Sequence, residues 1–465
     1  MSTASAASLG GSGVVTGSTD PKTLRNVIFA ASLGTLFEWY DFYLYGSLAV
    51  FFGTKFFPAT NPTAQLLASL ATFGAGFGVR PLGALVFGHV GDLVGRKYTF
   101  LITMATMGFA TAAIGLLPTY DHLGLLATIL LVTLRLLQGL ALGGEYGGAA
   151  TYVAEHVSDA KRGYYTSFIQ TTATLGFFLS MGVIGTTRLM FGEETFKAWG
   201  WRLPFLLSFI LLAISLYIRL RMAESPLFSR LKTAGKTAAN PLKESFTNPL
   251  NLRYVLIALF GATAGQGVLW YTGQFYALTF MQATLKIDWQ TAYILMSCAL
   301  LLTTPLFIVF GSLSDRIGRK RVMLAGCVLA AVTYVPIYMG MRHFSQPGDV
   351  NHVALVVLLV IQMVYVTMVY GPIAAFLVEL FPTRIRYTSM SLPYHLGNGW
   401  FGGFLPLIAT AVTASEWAKS SFGEGAIYTG LIYPIAVCVL TLIVGGLFVR
   451  ETRDHRIDAD THFGH

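Results

Sequence analysis

The chain has 465 residues, of which 54% are apolar and only 11% are charged. An ordinary soluble domain carries about 25% charged residues, so this composition excludes a soluble enzyme, a disordered scaffold and a secreted disulfide-rich module. A spanning helix needs about 20 mostly apolar residues, and the apolar content is sufficient for about a dozen such helices. The sequence therefore predicts an all-α membrane protein that crosses the lipid bilayer many times.

Twelve apolar segments can be marked along the chain, and they are numbered here in chain order. Residues 1–23 precede them and are expected to form a disordered tail, because residues 1–20 are mostly Ser, Ala, Gly and Thr with no basic residue. A hydrophilic linker at 223–250 separates a half at 24–222 from a half at 251–452, and 453–465 form a second tail. The predicted segments are about 27–52, 66–90, 98–118, 124–150, 163–190, 201–220, 252–281, 290–313, 322–341, 352–378, 387–413 and 426–449.

The distribution of Lys and Arg predicts the orientation. If the N-terminus is cytoplasmic, 22 of the 31 basic residues fall in cytoplasmic tails and loops, and seven fall on the opposite side. The positive-inside rule therefore favours two cytoplasmic termini. The remaining two, Arg80 and Arg135, lie inside apolar segments.

An internal repeat relates the two halves. The string from Gly88 to Lys97 matches the string from Gly311 to Lys320 at an offset of 223, and both contain an Asp and a Gly-Arg-Lys. The acidic residues Glu155 and Glu379 correspond at an offset of 224. Two motifs at nearly the same offset indicate two homologous six-helix halves, an arrangement used by secondary transporters that bind substrate between the halves.

These motifs resemble the major facilitator superfamily. Further strings resemble its bacterial metabolite:proton symporter family: 34–42 (GTLFEWYDF), 80–83 (RPLG), 135–146 (RLLQGLALGGEY), 199–204 (WGWRLP) and 379–388 (ELFPTRIRYT). The resemblance covers about residues 24–455. It implies proton-coupled uptake of a small carboxylate or zwitterion, such as 2-oxoglutarate, citrate, shikimate, proline or betaine, across the bacterial inner membrane.

Charges at membrane depth are the candidate proton-coupling residues. Asp41 lies about 21 Å into segment 1, near mid-membrane, with Glu38 on the same helical face. A charge at this depth costs about 2.5–3.5 kcal/mol, so such residues usually face a cavity and have partners. Asp41 and Arg135 match an acid–arginine pair that couples proton movement in related sugar symporters, and Glu145 is added as a fourth candidate. A static structural ion pair is the alternative.

Arg80 is the candidate anchor for an anionic substrate, since a guanidinium suits a carboxylate. Its alternative role is to brace Glu38 or Glu145. Amides, phenols and an indole complete the predicted site, with inter-helix packing as their alternative role. They are Tyr45, Gln138, Gln170, Gln266, Trp270, Tyr271, Gln274, Tyr370, Tyr394 and Asn398. His395 has two interpretations, a proton relay and a structural hydrogen-bond donor.

The repeated loops are interpreted as a cytoplasmic gate, whose ion pairs close the inner face in the outward-open state. The alternative is that the basic residues of these loops only set the orientation of the chain in the membrane. The predicted gate residues are Asp92, Arg96, Glu155, Arg162, Glu224, Asp315, Arg319, Glu379 and Arg386.

The sequence thus favours a twelve-helix symporter that imports a small organic acid or osmolyte with protons by alternating access. No enzyme activity, cofactor, metal or nucleic-acid partner is expected. The protein is expected to be a monomer. A proton-independent uniporter or exchanger of the same substrate class is the alternative. An integral-membrane enzyme is more distant, because the nine histidines are scattered or terminal.

Overall fold

The structure is a computed structural model, and apart from one short hairpin it is built almost entirely from helices. For residues 21–31, 88–94, 96–100, 218–219 and 221 the description is confined to the backbone. The described residues are 21–58, 61–94, 96–144, 150–151, 153–154, 157–221, 243, 247–346, 348–382 and 385–455.

Each of the first six predicted segments contains helix. Segment 1 is interrupted at Leu48 and segment 2 at Val79, so each consists of two helices. A short π-helical turn, Phe196–Gly200, precedes segment 6. The helices are Pro21–Ser47 and Ala49–Phe56 (segment 1), Pro62–Gly78 and Arg80–Val94 (segment 2), Arg96–Leu116 (segment 3), Tyr120–Leu123 and Leu125–Gly143 (segment 4), Arg162–Phe191 after a 3-10 turn at Asp159–Lys161 (segment 5), and Glu193–Thr195, Arg202–Leu206 and Ser208–Arg221 (segment 6).

The last six segments are also helical, with π-helical turns in segments 7 and 11. A two-stranded antiparallel hairpin, Ser345–Gln346 with Asp349–Val350, joins segments 9 and 10. Segment 7 comprises helices Pro249–Ala258, Ala264–Tyr271 and Ala277–Thr279 with π-turns Leu259–Thr263, Thr272–Tyr276 and Phe280–Thr284. The others are Trp289–Ile317 (segment 8), Arg319–His343 (segment 9), His352–Leu380 (segment 10), Arg386–Leu396, Gly397–Gly403 and Leu405–Ala414 (segment 11), and Glu416–Phe422, the 3-10 turn Gly423–Leu431 and Ile432–Phe448 (segment 12).

Eight of these helices are long and apolar enough to cross a membrane, and a ninth is added if the pair Glu193–Gly200 and Arg202–Tyr217, bent by 49°, forms one span. Segments 1, 3 and 11 fall outside that group. Segment 1 carries Glu38 and Asp41, and segment 11 carries Arg386, His395 and several glycines. The charges that make these segments less apolar are therefore candidates for function.

Two helices begin six residues away from the predicted starts of their segments. Segment 1 begins at Pro21 rather than near residue 27, and a proline suits the first helical turn because its missing N–H would have no partner there. The α-helix of segment 12 begins at Ile432 rather than near 426. Three glycines in the preceding 3-10 turn, Gly423, Gly425 and Gly430, disfavour regular helix before that point.

The halves formed by segments 1–6 and 7–12 meet along two helix pairs. Segments 5 and 8 approach closely where a Cβ added to Gly311 would lie 2.6 Å from the carbonyl oxygen of Gly163. Segments 2 and 11 approach where a Cβ added to Gly399 would lie 2.7 Å from the carbonyl oxygen of Phe77. Glycine permits this backbone-to-backbone packing, which brings segments 1, 2, 7, 10 and 11 around one buried centre.

The halves also touch at both ends of the molecule. At one end, charged residues around Glu379 bridge segments 5 and 10, and this is called the network end. At the other, called the Trp289 end, the Tyr293 hydroxyl of segment 8 donates to the carbonyl of Ser47 in segment 1 at 2.6 Å. There the Arg188 guanidinium lies between the rings of Phe196 and Trp289, 4.6 and 4.3 Å from their centroids.

The Gly311 contact gives a first prediction. Gly311→Ala places a methyl group against the Gly163 backbone, so we expect a lower thermal midpoint of the detergent-purified protein, corresponding to about 1–3 kcal/mol of overpacking. Gly446→Ala is the matched control, because no heavy atom lies within 4 Å of its added Cβ. Its midpoint should stay the same or rise, since Ala favours helix over Gly. Equal midpoints for the two variants would contradict the close packing.

Candidate functional site

Arg80 lies at a break in segment 2. Pro81 has no N–H, so it cannot donate to the Phe77 carbonyl one turn earlier, and the helix is interrupted at Val79. Arg80 begins the second helix and is fully buried. The sequence therefore fixes a guanidinium at a helix break in the middle of a membrane segment.

The Arg80 side chain has aromatic neighbours but no hydrogen-bond partner. Its guanidinium carbon lies 4.2 Å from the ring centroid of Phe77, 4.7 Å from that of Phe42 and 5.1 Å from that of Trp39. None of its three side-chain nitrogens has a hydrogen-bond partner in the structure as described. Cation–π contacts stabilise the charge in part, but the N–H donors remain available.

Four tyrosines surround Arg80 closely enough to interact with it electrostatically: Tyr43, Tyr271, Tyr370 and Tyr394. They belong to segments 1, 7, 10 and 11. The hydroxyls of Tyr370 and Tyr394 are 2.7 Å apart, and the Trp270 indole donates to the Tyr43 hydroxyl at 3.1 Å. The Trp270 ring also stacks on that of Tyr370, with centroids 4.5 Å apart. Arg80, the four tyrosines and Trp270 are together called the Arg80 cluster. It joins a cation of the first half to hydroxyls of both halves.

Two predicted substrate residues bind each other instead. The Gln266 amide donates to Asn398 Oδ1 at 3.0 Å, and the Asn398 amide donates to Gln266 Oε1 at 2.8 Å. This reciprocal pair joins segments 7 and 11. Gln274, two turns after Gln266, is fully buried, and neither of its amide atoms has a partner in the described part of the chain. Gln274 therefore has more free hydrogen-bonding capacity than Gln266 or Asn398.

Arg135 lies beside the Arg80 cluster and shares an aromatic ring with it. The Phe42 ring is 4.3 Å from the Arg135 guanidinium carbon and 4.7 Å from that of Arg80. One Arg135 nitrogen donates to Gln138 Oε1 at 2.7 Å and to the Phe42 carbonyl at 3.2 Å. Gln138 in turn donates to Thr111, and the Tyr45 hydroxyl bonds to Ser69. Gln138 and Tyr45 thus hold Arg135 in place rather than presenting free groups.

Asp41 is bonded to a serine. The Ser208 hydroxyl of segment 6 donates to Asp41 Oδ1 at 2.6 Å, and Asp41 is only 5% exposed. Among the ion pairs of the described residues, none joins Asp41 to Arg135. The predicted coupling partners are therefore held apart here, and Ser208, which the sequence analysis did not identify, is the partner of the acid. A serine in an apolar helix gives no distinctive sequence signal.

The remaining predicted residues of the first half are placed as follows. Glu38 is 4% exposed and lies one turn before Asp41 on segment 1. Gln170 is 1% exposed on segment 5. Glu145 lies outside the described residues.

The network end is centred on Glu379. Its carboxylate accepts from Arg162 at 2.9 Å, across the boundary between the halves, and from two Arg319 nitrogens at 3.1 and 3.3 Å. Asp315 accepts from Arg319 at 2.6 Å and from the backbone N–H groups of Gly163 and Tyr164 at 2.9 and 2.8 Å. The second contact places a carboxylate at the start of the segment 5 helix, where anions are stabilised.

The chain after segment 12 adds to this network. Glu451 accepts from the backbone N–H groups of Arg319 and Lys320 at 2.7 and 3.2 Å. The hydroxyl of Thr452 donates to Glu379 at 2.7 Å. The sequence analysis missed both residues. The prediction for Glu224 after segment 6 could have directed attention to the acid in the corresponding position after segment 12.

Four of the predicted gate residues cannot be placed among these contacts. The side chains of Asp92 and Arg96, and the whole of Glu155 and Glu224, lie outside the described part of the chain. Arg386 is buried, and its Nε donates to the carbonyl of Phe381 at 3.1 Å.

Comparison with known proteins places the chain in a family. The sequence model of the Major Facilitator Superfamily matches residues 31–406 and 270–460. The chain belongs to this superfamily. Its fold is therefore the twelve-helix membrane fold of two six-helix bundles, and the protein is a transporter, not an enzyme.

Curated relatives in the superfamily are metabolite transporters. The chain is 37% identical over 441 residues to the inner membrane metabolite transport protein YhjE of Escherichia coli, covering 93% of this chain and 96% of the relative. It is 33% identical to the Escherichia coli alpha-ketoglutarate permease, covering 85% and 89%. It is 34% identical to the glycine betaine/proline/ectoine/pipecolic acid transporter OusA of Dickeya dadantii, covering 95% and 86%.

Solved structures agree with the fold at lower identity. A D-xylose-proton symporter superposes with a TM-score of 0.69 at 18% identity, covering 92% of this chain and 98% of that one. The partially occluded inward-open xylose transporter XylE of Escherichia coli gives 0.70 at 17%, covering 94% and 100%. The fold and the transport of a small metabolite across a membrane are thus established.

The network end gives a second prediction. Glu379→Gln removes the negative charge that Arg162 and Arg319 share, and breaking a buried ion pair costs about 3–5 kcal/mol. We expect a clear drop in the thermal midpoint of the purified protein. Glu416→Gln is the matched control, because Glu416 pairs with Lys419 at the surface and is 92% exposed. A midpoint as high as that of the control would show that the network contributes little.

Proposed function

We propose that the protein is a proton-coupled symporter that imports a small organic anion. The observation that carries this proposal is the buried Arg80 guanidinium, whose donors have no hydrogen-bond partner among the described residues. A buried charge without a counter-ion is costly, and a substrate carboxylate would supply the missing charge and accept two parallel hydrogen bonds.

The surroundings of Arg80 suit a carboxylate. Phenol hydroxyls of Tyr43, Tyr271, Tyr370 and Tyr394 stand near the guanidinium and can donate further hydrogen bonds to an anion. Because Arg80 belongs to the first half and three of these tyrosines to the second, a bound anion would draw the halves together. Closure around the substrate is the step that alternating access requires.

Proton coupling is assigned to Asp41. A buried carboxylate bonded to the neutral Ser208 hydroxyl can be protonated without breaking an ion pair. Arg135 is anchored at the backbone of Phe42, the next residue, so a small rearrangement would bring the two charges together. An acid that alternates between a protonated form and an ion-paired form couples a proton to a change of conformation. Proton symport by the fold neighbour named for D-xylose supports this assignment.

The relatives are named for chemically different substrates. The alpha-ketoglutarate permease is named for a dicarboxylate and OusA for betaines and imino acids. A quaternary ammonium group would need open aromatic faces. At this site Arg80 itself lies over the rings of Trp39, Phe42 and Phe77, which favours an anion over a cationic head group.

The topology remains part of the proposal. The excess of Lys and Arg favours a cytoplasmic position for the network end and for both termini, with the protein in the inner membrane of a bacterium. The protein is proposed to act as a monomer, with halves at 24–222 and 251–452.

The third prediction tests the anion site. We expect purified protein to gain thermal stability with small carboxylates and not with choline, because a ligand that binds the folded state stabilises it by about 2.7 kcal/mol at 100 times its Kd. Arg80→Lys should lose most of this gain, since a lysine cannot form the bidentate pair. Lys55→Arg, an exchange at a half-exposed site, is the control. Stabilisation of Arg80→Lys equal to that of wild type would contradict the assignment.

The fourth prediction tests proton coupling in proteoliposomes. Asp41→Asn should abolish accumulation driven by a pH gradient and spare exchange of labelled for unlabelled substrate, because only the proton site is removed. Asp121→Asn, the same change at an exposed acid, should leave both activities intact. Loss of both activities in folded Asp41→Asn protein would indicate a structural role. Accumulation by wild type that ignores the pH gradient would favour a uniporter or exchanger.

A further inference from the structure

His395 is a buried histidine that the substrate and proton sites above do not use. It follows Tyr394 on segment 11, is 1% exposed, and neither Nδ1 nor Nε2 has a hydrogen-bond partner in the described structure. In its neutral form an imidazole offers one N–H donor and one acceptor. A histidine retained for structure alone is expected to bond at least one of them, because an unsatisfied buried polar group costs free energy.

The position of His395 relates it to Arg80. The two side chains lie close enough to interact electrostatically, and the backbone of Gly143 interacts weakly with the imidazole, outside normal hydrogen-bond geometry. Gly143 itself packs directly against the backbone carbonyl of Arg80, with no room for a Cβ between them. The imidazole of the second half thus lies beside the start of the Arg80 helix, within electrostatic range of the guanidinium, and neither side chain has a well-formed hydrogen bond to a described residue.

Apart from the weak interaction with the Gly143 backbone, the ring nitrogens of His395 have no partner among the described residues. The hydroxyl of the neighbouring Tyr394 bonds that of Tyr370 at 2.7 Å, and the rings of Tyr394 and His395 are nearly perpendicular, with centroids 5.4 Å apart. Nearby, Tyr387 donates to the Gly144 carbonyl at 2.7 Å, which fixes segment 11 against the end of segment 4. The backbone around His395 is therefore held in place, while at least one ring nitrogen is available to a ligand.

We propose that His395 is a substrate-binding residue, and that it hydrogen-bonds a second oxygen substituent on the acid whose carboxylate Arg80 holds. This inference rests on the proposed anion site and narrows its substrate class. The ligand is a small organic acid with a hydroxyl or keto oxygen, rather than the same acid without that oxygen. A polar site that lacks its partner group binds poorly, so such a site discriminates strongly against the analogue without the oxygen.

The test compares acids that differ by one oxygen: malate with succinate, 2-oxoglutarate with glutarate, and lactate with propionate. Thermal-shift titrations of the full-length protein in detergent give a Kd for each acid. For the pair that binds, we expect wild type to prefer the oxygen-bearing acid by about tenfold, the value of one good hydrogen bond. His395→Phe should bind both members of the pair with equal affinity.

Matched variants separate this role from a structural one. Thr441→Val also removes a buried polar atom without a described partner, on segment 12 against Gly265, and should keep the wild-type preference. If His395→Phe does not fold, His395→Asn and His395→Gln keep an N–H near the positions of Nδ1 and Nε2, and one of them should retain the preference. If all three variants fail to fold, His395 is structural and the inference is overturned.

The remaining outcomes are also decisive. If wild type binds carboxylates without distinguishing the paired acids, or if His395→Phe keeps the preference, the role of His395 is overturned while the anion site stands. If no carboxylate stabilises wild type, the anion site fails and the inference fails with it.

Discussion

A buried guanidinium, with no counter-ion among the described residues, lies at the centre of this protein. Arg80 has three aromatic rings within about 5 Å and four tyrosines in electrostatic range, yet its nitrogens bond none of the described groups. The three rings offset part of the desolvation cost of this buried charge. Under the proposed function, a bound anion would supply the missing charge and contact both halves, so that recognition of charge and closure of the halves would be one event.

The two halves contribute unequally to this centre. At the offset of 223 that relates segments 2 and 8, Arg80 corresponds to Thr303, and at the offset of 224 Arg135 corresponds to Leu359. These two charges of the first half thus have neutral counterparts in the second, which instead supplies tyrosines, a tryptophan and amides. The gate motif, in contrast, keeps its charges in both copies. Duplication accounts for the scaffold and for the repeated charged motifs, whereas the residues of the proposed binding site differ between the halves.

Much of the architecture follows from the sequence, because apolar runs and charge counts reflect the bilayer directly. Helix is present in all twelve predicted segments, and the buried charges of segments 1, 2 and 4 were identified since any charge in an apolar run is exceptional. The hydrogen-bond partners of these charged residues could not be predicted from the sequence. Ser208 meets Asp41 across 167 residues and Asn398 meets Gln266 across 132, and such contacts depend on helix rotation rather than on composition. The π-turns of segments 7 and 11 were likewise not predicted from the sequence.

The two ends of the molecule are closed by different chemistry. The Trp289 end is held by rings around Arg188 and by the hydroxyl bond of Tyr293, whereas the network end is held by buried carboxylates and guanidiniums. If the network end acts as the proposed gate, its opening would expose these charges to water, where salt screens them over about 8–10 Å. Ionic strength on that side of the membrane would then stabilise the state open to it, so that the salt content of one compartment would set the resting orientation of the carrier.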